Sequence, residues 1–171
     1  TVVSLGHREE ALACRISEML SAVFGISPSR FKQPTTLSVV ANKASVALLF
    51  ESLCGTGARK KHLPPELFHA PMPVVEAFLR AYVEGDGHQY PNGMIMASTA
   101  SRKLAEEVAW LVLKTGRFSS IRRTRQSRLG RIQGRAVRLA PVQYTLYWFD
   151  DSSKRRWLRE DARYFYVPIQ K

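Results

Sequence analysis

The sequence predicts an α/β protein in which one unit, helix, two strands, helix, two strands, helix, is nearly present twice. Three observations carry this. Leu12, Ile16, Met19, Leu20 and Val23 form an apolar helical stripe, and Leu104, Val108, Leu111 and Val112 form a matching one about ninety residues later. Each helix is preceded by a short strand pattern, Thr1 to Leu5 and Met94 to Ala97, and followed by another, Thr36 to Ala41 and Val142 to Phe149. Between the copies lies a further helix, carried by Val75, Phe78, Leu79 and Tyr82, that runs into the acidic, glycine-flanked end Glu84-Gly85-Asp86-Gly87.

Taken in order, Thr1 to Leu5 opens the first copy, and the helix after it holds Cys14. Thr36 to Ala41 alternates as a strand, and Cys54 falls on the next helix. With no second cysteine two or three residues from either, both read as small buried hydrophobes in a reducing compartment. In the second copy Val142, Tyr144, Leu146 and Trp148 share one strand face. The division expected is 1–70 for the first half and 71–171 for the second. The first half begins inside what corresponds to its second strand, so it lacks a counterpart of the helix at 75–85.

That helix carries a second, flat stripe: Ala77, Ala81 and Gly85 put a small residue at every fourth position. Such a stripe lets another helix approach backbone to backbone. Gly85 and Gly87 are expected to stop the helix, leaving Asp86 at its carboxyl end, where the macrodipole disfavours a carboxylate unless a cation is near.

Leu79 to Gly87, LRAYVEGDG, resembles the signature of the LAGLIDADG homing endonucleases. In that family two such helices pack at a pseudo-twofold axis, and the last acidic residue of each holds divalent metal at the scissile phosphates. The resemblance implies a saddle of two αββαββα-type half-domains with curved antiparallel sheets. It assigns metal to Asp86, with Gly85 beside it, and the helix interface to Ala77, Ala81 and Gly85. Upstream, Gly55 to Pro64, GTGARKKHLP, is similar to the turn and Lys-x-Ile-Pro element that precedes the second signature helix of intein-borne members. This implies a catalytic or phosphate-contacting role for Lys61. Without the downstream helix, Lys60 and Lys61 read as a solvated basic loop.

The chain has 171 residues and a formal net charge of +12, and the charge is concentrated. No acidic residue occurs from Val108 to Phe149, while Lys114, Arg117, Arg122, Arg123, Arg125, Arg128, Arg131, Arg135 and Arg138 all do. Such an excess repels itself and calls for a polyanionic partner. Ile121 to Leu139 reads as two strands with a mobile tip near Gly130 and Gly134, a β-ribbon of a width that suits the major groove of duplex DNA. Arginine in preference to lysine favours two-pronged contacts to guanine edges or phosphates. An arginine run does not by itself separate DNA from RNA.

At the end of the chain, Asp150 and Asp151 read as a turn rather than a paired-carboxylate site. Lys154 to Arg159 reads as a basic amphipathic helix. Tyr164 to Ile169, YFYVPI, stands in register with the segment holding Lys61, but Phe165 occupies the lysine position, which leaves Lys154 as a weak substitute. His7, His62, His69 and His88 show no zinc spacing. There is no stretch long enough to span a bilayer and no signal-peptide pattern at Thr1, so the reading is intracellular, cytoplasmic or nucleoid-associated.

The function these residues imply is Mg²⁺-dependent hydrolysis of phosphodiester bonds in a long duplex DNA site. Thr1 is no splice nucleophile and Lys171 lacks a His-Asn ending before it, so an intein parent would contribute its endonuclease insert only. The competing reading is a cleavage-deficient DNA- or RNA-binding protein of the same fold, a regulator or intron maturase. A ribosome-associated basic protein would explain the arginines but not the glycine-flanked acidic helix end.

Overall fold

A computed structural model of the chain describes residues 1–125, 129–132, 135–138, 140–151, 159–160 and 165–166. They divide into two units, Thr1–Gly55 and Thr56–Lys171.

The first unit contains β1 (Val2–Gly6), α1 (Glu10–Phe24), β2 (Ser29–Lys32), β3 (Thr36–Val40) and α2 (Ala44–Cys54). Its sheet is antiparallel in the order β1-β3-β2, with Val40 opposite both Val2 and Ser29. Leu37 and Val39 point from β3 onto Ala13 and Leu20 of α1, and Phe50 of α2 meets Phe24 edge to face at 5.9 Å. The buried face of α1 therefore centres on Ala13, Leu20 and the partly buried Ile16 and Phe24. Met19 and Val23, expected on the apolar stripe, are 53% and 71% exposed. The buried face of the helix is thus turned from Met19 and Val23 toward Ala13 and Leu20. Gly25 closes α1 at φ 60°, a left-handed conformation that suits glycine.

The second unit begins with a loop and a 3-10 turn (Pro65–Phe68). It continues through α3 (Met72–Asp86), β4 (Gly87–Gln89), β5 (Met94–Thr99), α4 (Arg102–Lys114), β6 (Ser120–Arg125), β7 (Leu129–Ile132), β8 (Arg135–Arg138), β9 (Val142–Phe149), β10 (Arg159–Glu160) and β11 (Phe165–Tyr166). Its main sheet runs β4-β5-β9-β6, all antiparallel. Val75 and Leu79 of α3 and Ala105, Val108, Leu111 and Val112 of α4 pack onto Ile95, Ala97, Leu146 and Trp148. Residues 56–70 go with this unit, because Leu63 is 4% exposed in its core. The division thus falls ahead of the 70/71 boundary expected from the repeat.

The two sheets order three of their strands alike. In each unit the central strand (β3, β9) is flanked by the strand that precedes the helix (β1, β5) and the strand that follows it (β2, β6). β4 has no counterpart among the strands of the first sheet.

Two expectations change. The arginine segment does not fold back on itself over 121–139 as two strands: β6 pairs with β9, and β7 and β8 form a separate hairpin in which Ile132 faces Arg135. Alternation in β9 and β6 explains this, since Ile121 sits opposite the fully buried Leu146 and joins the main sheet. Arg159 lies in β10, not in a helix. Lys154 and the rest of 152–158 fall outside the described residues, as do Arg128 and most of 164–169.

Candidate nucleic-acid and metal site

α3 begins after the extended Pro71, carries Pro73 in its first turn, where a missing N–H breaks no helix bond, and runs unbroken to Asp86. Gly85 is inside the helix rather than its terminator. Gly87 ends it, but in extended backbone, φ −115° and ψ −177°, so the chain passes straight from α3 into β4. Its need for glycine is steric: an added Cβ would lie 2.8 Å from the Val83 Cα and 3.1 Å from the Met96 carbonyl oxygen. The close approach fixes Asp86, one residue earlier, at the edge of the sheet.

Asp86 is exposed, and no hydrogen bond or ion pair among the described residues engages its carboxylate. The helix closes on the Gly87 N–H to Val83 carbonyl bond, so it makes no use of the Gly85 carbonyl. A carboxylate and a helix-end carbonyl are hard oxygen donors. They suit Mg²⁺, which takes one or two carboxylates and completes its shell with water and phosphate oxygens. Among the described residues no group of three His, Cys, Asp or Glu side chains forms a self-sufficient metal cage. Beneath Asp86, Tyr82 stacks on Phe78 at 6.1 Å, and its hydroxyl is buried without a partner. Burial, then the nearby Asp86 charge, pushes the Tyr82 pKa up to about 12.

Lys61 is exposed on the loop ahead of α3, and backbone contacts hold that loop. The Ser101 hydroxyl donates to the Lys61 carbonyl at 2.6 Å, and the Leu63 N–H donates to Glu107 Oε2 at 2.7 Å. Ser101 is also the N-cap of α4, accepting the Leu104 N–H at 3.2 Å, and is itself 1% exposed. Asp86 and Lys61 are thus positioned from the same strand: Gly87 pairs with Ala97 of β5, and Ser101 follows β5's end. The four residue steps from Ala97 to Ser101 span at most roughly 13 Å at strand rise.

Ala77, Ala81 and Gly85 are all exposed, with space around the Gly85 Cα for an added Cβ. Among the described residues, then, the flat stripe is exposed.

The arginines divide by role. Arg117 is drawn inward, its side chain 18% exposed: it pairs with Glu76 of α3, donates to Asp150 at 3.3 Å and to Thr115 Oγ1 at 3.0 Å. Asp150 also accepts from Gln89 at 2.8 Å, so it ties the ends of β9 and β4, as befits a turn residue. Lys114 is likewise engaged, donating to the carbonyls of Phe68 and Ala70. Arg122, Arg123 and Arg125 on β6 are exposed. Alternation splits them: Arg122 lies opposite Thr145 on the sheet face away from the helices, while Arg123 and Arg125 share the helix-side face with Ile121. Arg131, Arg135 and Arg138 lie on the β7–β8 hairpin.

The open face of the sheet is the feature that sequence reasoning missed. Its exposed members are His88 and Arg122, with Met96, Ser98 and Tyr147 half-buried between them and Thr145 buried, its hydroxyl 3.0 Å from that of Ser98. The signal was the second phase of the same alternation that puts Ile95, Ala97, Leu146 and Trp148 in the core.

The profile of the LAGLIDADG-like domain family matches residues 73–140, from the first turn of α3 to just beyond β8. Over these residues the chain resembles a LAGLIDADG-like domain. The sequence is also similar to parts of much larger curated proteins. It is 41% identical over 80 residues to a DNA polymerase of Thermococcus aggregans, a match covering 47% of this chain and 4% of that protein. It is 30% identical over 125 residues to one component of the A-type ATP synthase of Pyrococcus abyssi, covering 70% of this chain and 12% of that one. A different component of the A-type ATP synthase, from Methanopyrus kandleri, is 27% identical over 121 residues, 70% of this chain and 11% of the other. The chain therefore spans a small fraction of the relatives it matches. No helix among the described residues is long and apolar enough to cross a membrane.

Proposed function

We propose that this chain carries a LAGLIDADG-like domain of a site-specific DNA endonuclease that hydrolyses phosphodiester bonds in duplex DNA with Mg²⁺. The observation that carries the reading is Asp86: an exposed carboxylate at the carboxyl end of α3, where the helix dipole disfavours it and no cation among the described residues relieves it. Asp86 and the Gly85 carbonyl would hold the metal, which when bound supplies an activated water and charge stabilisation at the phosphate. Lys61, presented by the Ser101-anchored loop, offsets negative charge near the same centre. Arg122 and the open sheet face receive one groove of the duplex, and the β7–β8 hairpin, with Arg131, Arg135 and Arg138, follows the backbone. The stripe of Ala77, Ala81 and Gly85 receives a second helix of the same kind, either from another lobe or from another copy.

The relatives favour an inserted origin. Stretches of this chain resemble small parts of a polymerase and of two ATP synthase components, proteins of unrelated activity, which supports a portable part as what they have in common. We infer an intein-type or intron-encoded endonuclease. The second reading, a cleavage-deficient DNA- or RNA-binding protein, draws on the lack, among the described residues, of any group of three metal-ligating side chains. Asp86→Asn in the full protein tests between them: loss of Mg²⁺-dependent strand cleavage with unchanged duplex affinity in Ca²⁺ supports the enzyme, whereas a parent that never cuts supports the binder.

A further inference from the structure

On the helix side of the main sheet, away from the open face, a groove of about 190 Å³ runs between α4 and β6. Its walls are Ala109, Trp110 and Leu113 of α4 and Phe118, Ser119 and Ile121, with Glu106 at one end. Trp110 is 65% exposed, unusual for the largest apolar side chain and the residue most enriched at binding hot spots. Glu106 is held by Arg102 at 2.6 Å, so it presents little free charge. Two further observations bear on what would fit here. β6 ends the sheet order β4-β5-β9-β6, so among the described strands it has a neighbour on one side only, and its other edge carries unpaired backbone groups. Along that edge the residues sharing the groove's face are Ile121, Arg123 and Arg125, a passage from apolar to doubly positive.

We propose that this groove and edge form a docking site for an extended segment of a partner protein, added beside β6 as a further strand. Its apolar side chains enter at Trp110, Leu113 and Ile121, and its acidic side chains, at alternate positions further on, meet Arg123 and Arg125. Strand addition gives affinity through backbone hydrogen bonds and specificity through alternate side chains. A single-stranded nucleic acid would also find an aromatic platform and arginines here. The open backbone edge of β6 beside the apolar walls favours a peptide, which alone can add a strand there. The site is separate from Asp86 and the open face and does not depend on the endonuclease reading.

The test uses the whole chain, isotope-labelled, and a blocked synthetic peptide in which threonine alternates first with two leucines and then with two glutamates. Amide shifts confined to β6 and to α4 around Trp110 are expected. Trp110→Ala should weaken binding by roughly tenfold, as removal of an anchor does. Arg123→Ala with Arg125→Ala should weaken the leucine–glutamate peptide but not one whose glutamates are replaced by glutamine. Equal binding of a peptide with serine in place of leucine, or no shifts at β6, would overturn the proposal. So would stronger perturbation of the same residues by oligothymidylate, which would assign the surface to single-stranded nucleic acid.

Discussion

The hydroxyl of Ser101, buried at the start of α4, donates to the main-chain carbonyl of Lys61 at 2.6 Å. One side chain therefore caps a helix and holds the loop that presents a basic residue forty positions earlier. Ser101→Ala should cost about 1–3 kcal/mol, since it removes the cap and leaves a carbonyl unpaired. If the loop places Lys61 for chemistry, cleavage should fall further than duplex affinity does. Denaturant unfolding and a comparison of affinity with rate give the two readouts; unchanged stability would remove Ser101 from this role.

Arg117 and Arg122 should respond in opposite ways. Arg117→Ala removes the cation between Glu76 and Asp150, leaving Asp150 only Gln89 among the described residues, and is expected to lower stability by about 2 kcal/mol, part of the full cost of a buried pair because the site retains some solvent. Its effect on DNA binding should be small. Arg122→Ala should leave unfolding unchanged and reduce the salt dependence of duplex binding by up to about 0.9 log units for one phosphate contact. Denaturant titrations and binding at several salt concentrations distinguish the two; equal salt slopes for both variants would show that β6 does not touch DNA.

Tyr82 should make the protein sensitive to alkali. Its folded pKa of about 12 lies above the ordinary tyrosine value of 10, because burial and then Asp86 oppose the phenolate. The unfolded chain therefore loses this proton first, and stability should fall as pH rises from about 10 to 12. Tyr82→Phe should remove that component. At neutral pH the variant should be as stable or more so, by about 1 kcal/mol, because an unpaired buried hydroxyl is gone. Thermal melts across that pH range check both, and a destabilised phenylalanine variant would mean the hydroxyl has a partner.

The exposed stripe of α3 should drive self-association. Ala81→Arg puts a long charged side chain on its middle and should shift sedimentation toward monomer, while the folded spectrum is retained because Ala81 is exposed. A chain that is monomeric with and without the substitution would show that the stripe is no interface between copies.

Much of the main sheet and its helices was legible because burial leaves a period in the sequence: Val108, Leu111 and Val112 repeat as a helix face, and Leu146 and Trp148 as a strand face. The first helix misled because Met19 and Val23 keep the same period as the truly buried Ala13 and Leu20. Spacing cannot say which of two adjacent apolar faces a sheet will choose. The end of α3 was read through glycine's freedom to turn, whereas Gly87 is extended and required by the closeness of Val83 and Met96. Arg117 was counted with the other arginines because its partners Glu76 and Asp150 are far away in sequence. Charge composition is local, but ion pairing is not.

The direct passage of α3 into β4 makes Asp86 part of a ruler whose scale is β5. Gly87 is locked to Ala97 by strand register, and Ser101, holding Lys61, is counted off along the same chain. Adding one residue between Ala97 and Ser101 would advance the Lys61 anchor relative to Asp86 by up to one strand rise, about 3.3 Å, and would reverse the face presented by the strand residues after it, up to Thr99. A single codon inserted in β5 would therefore detune the pair without touching either member of it.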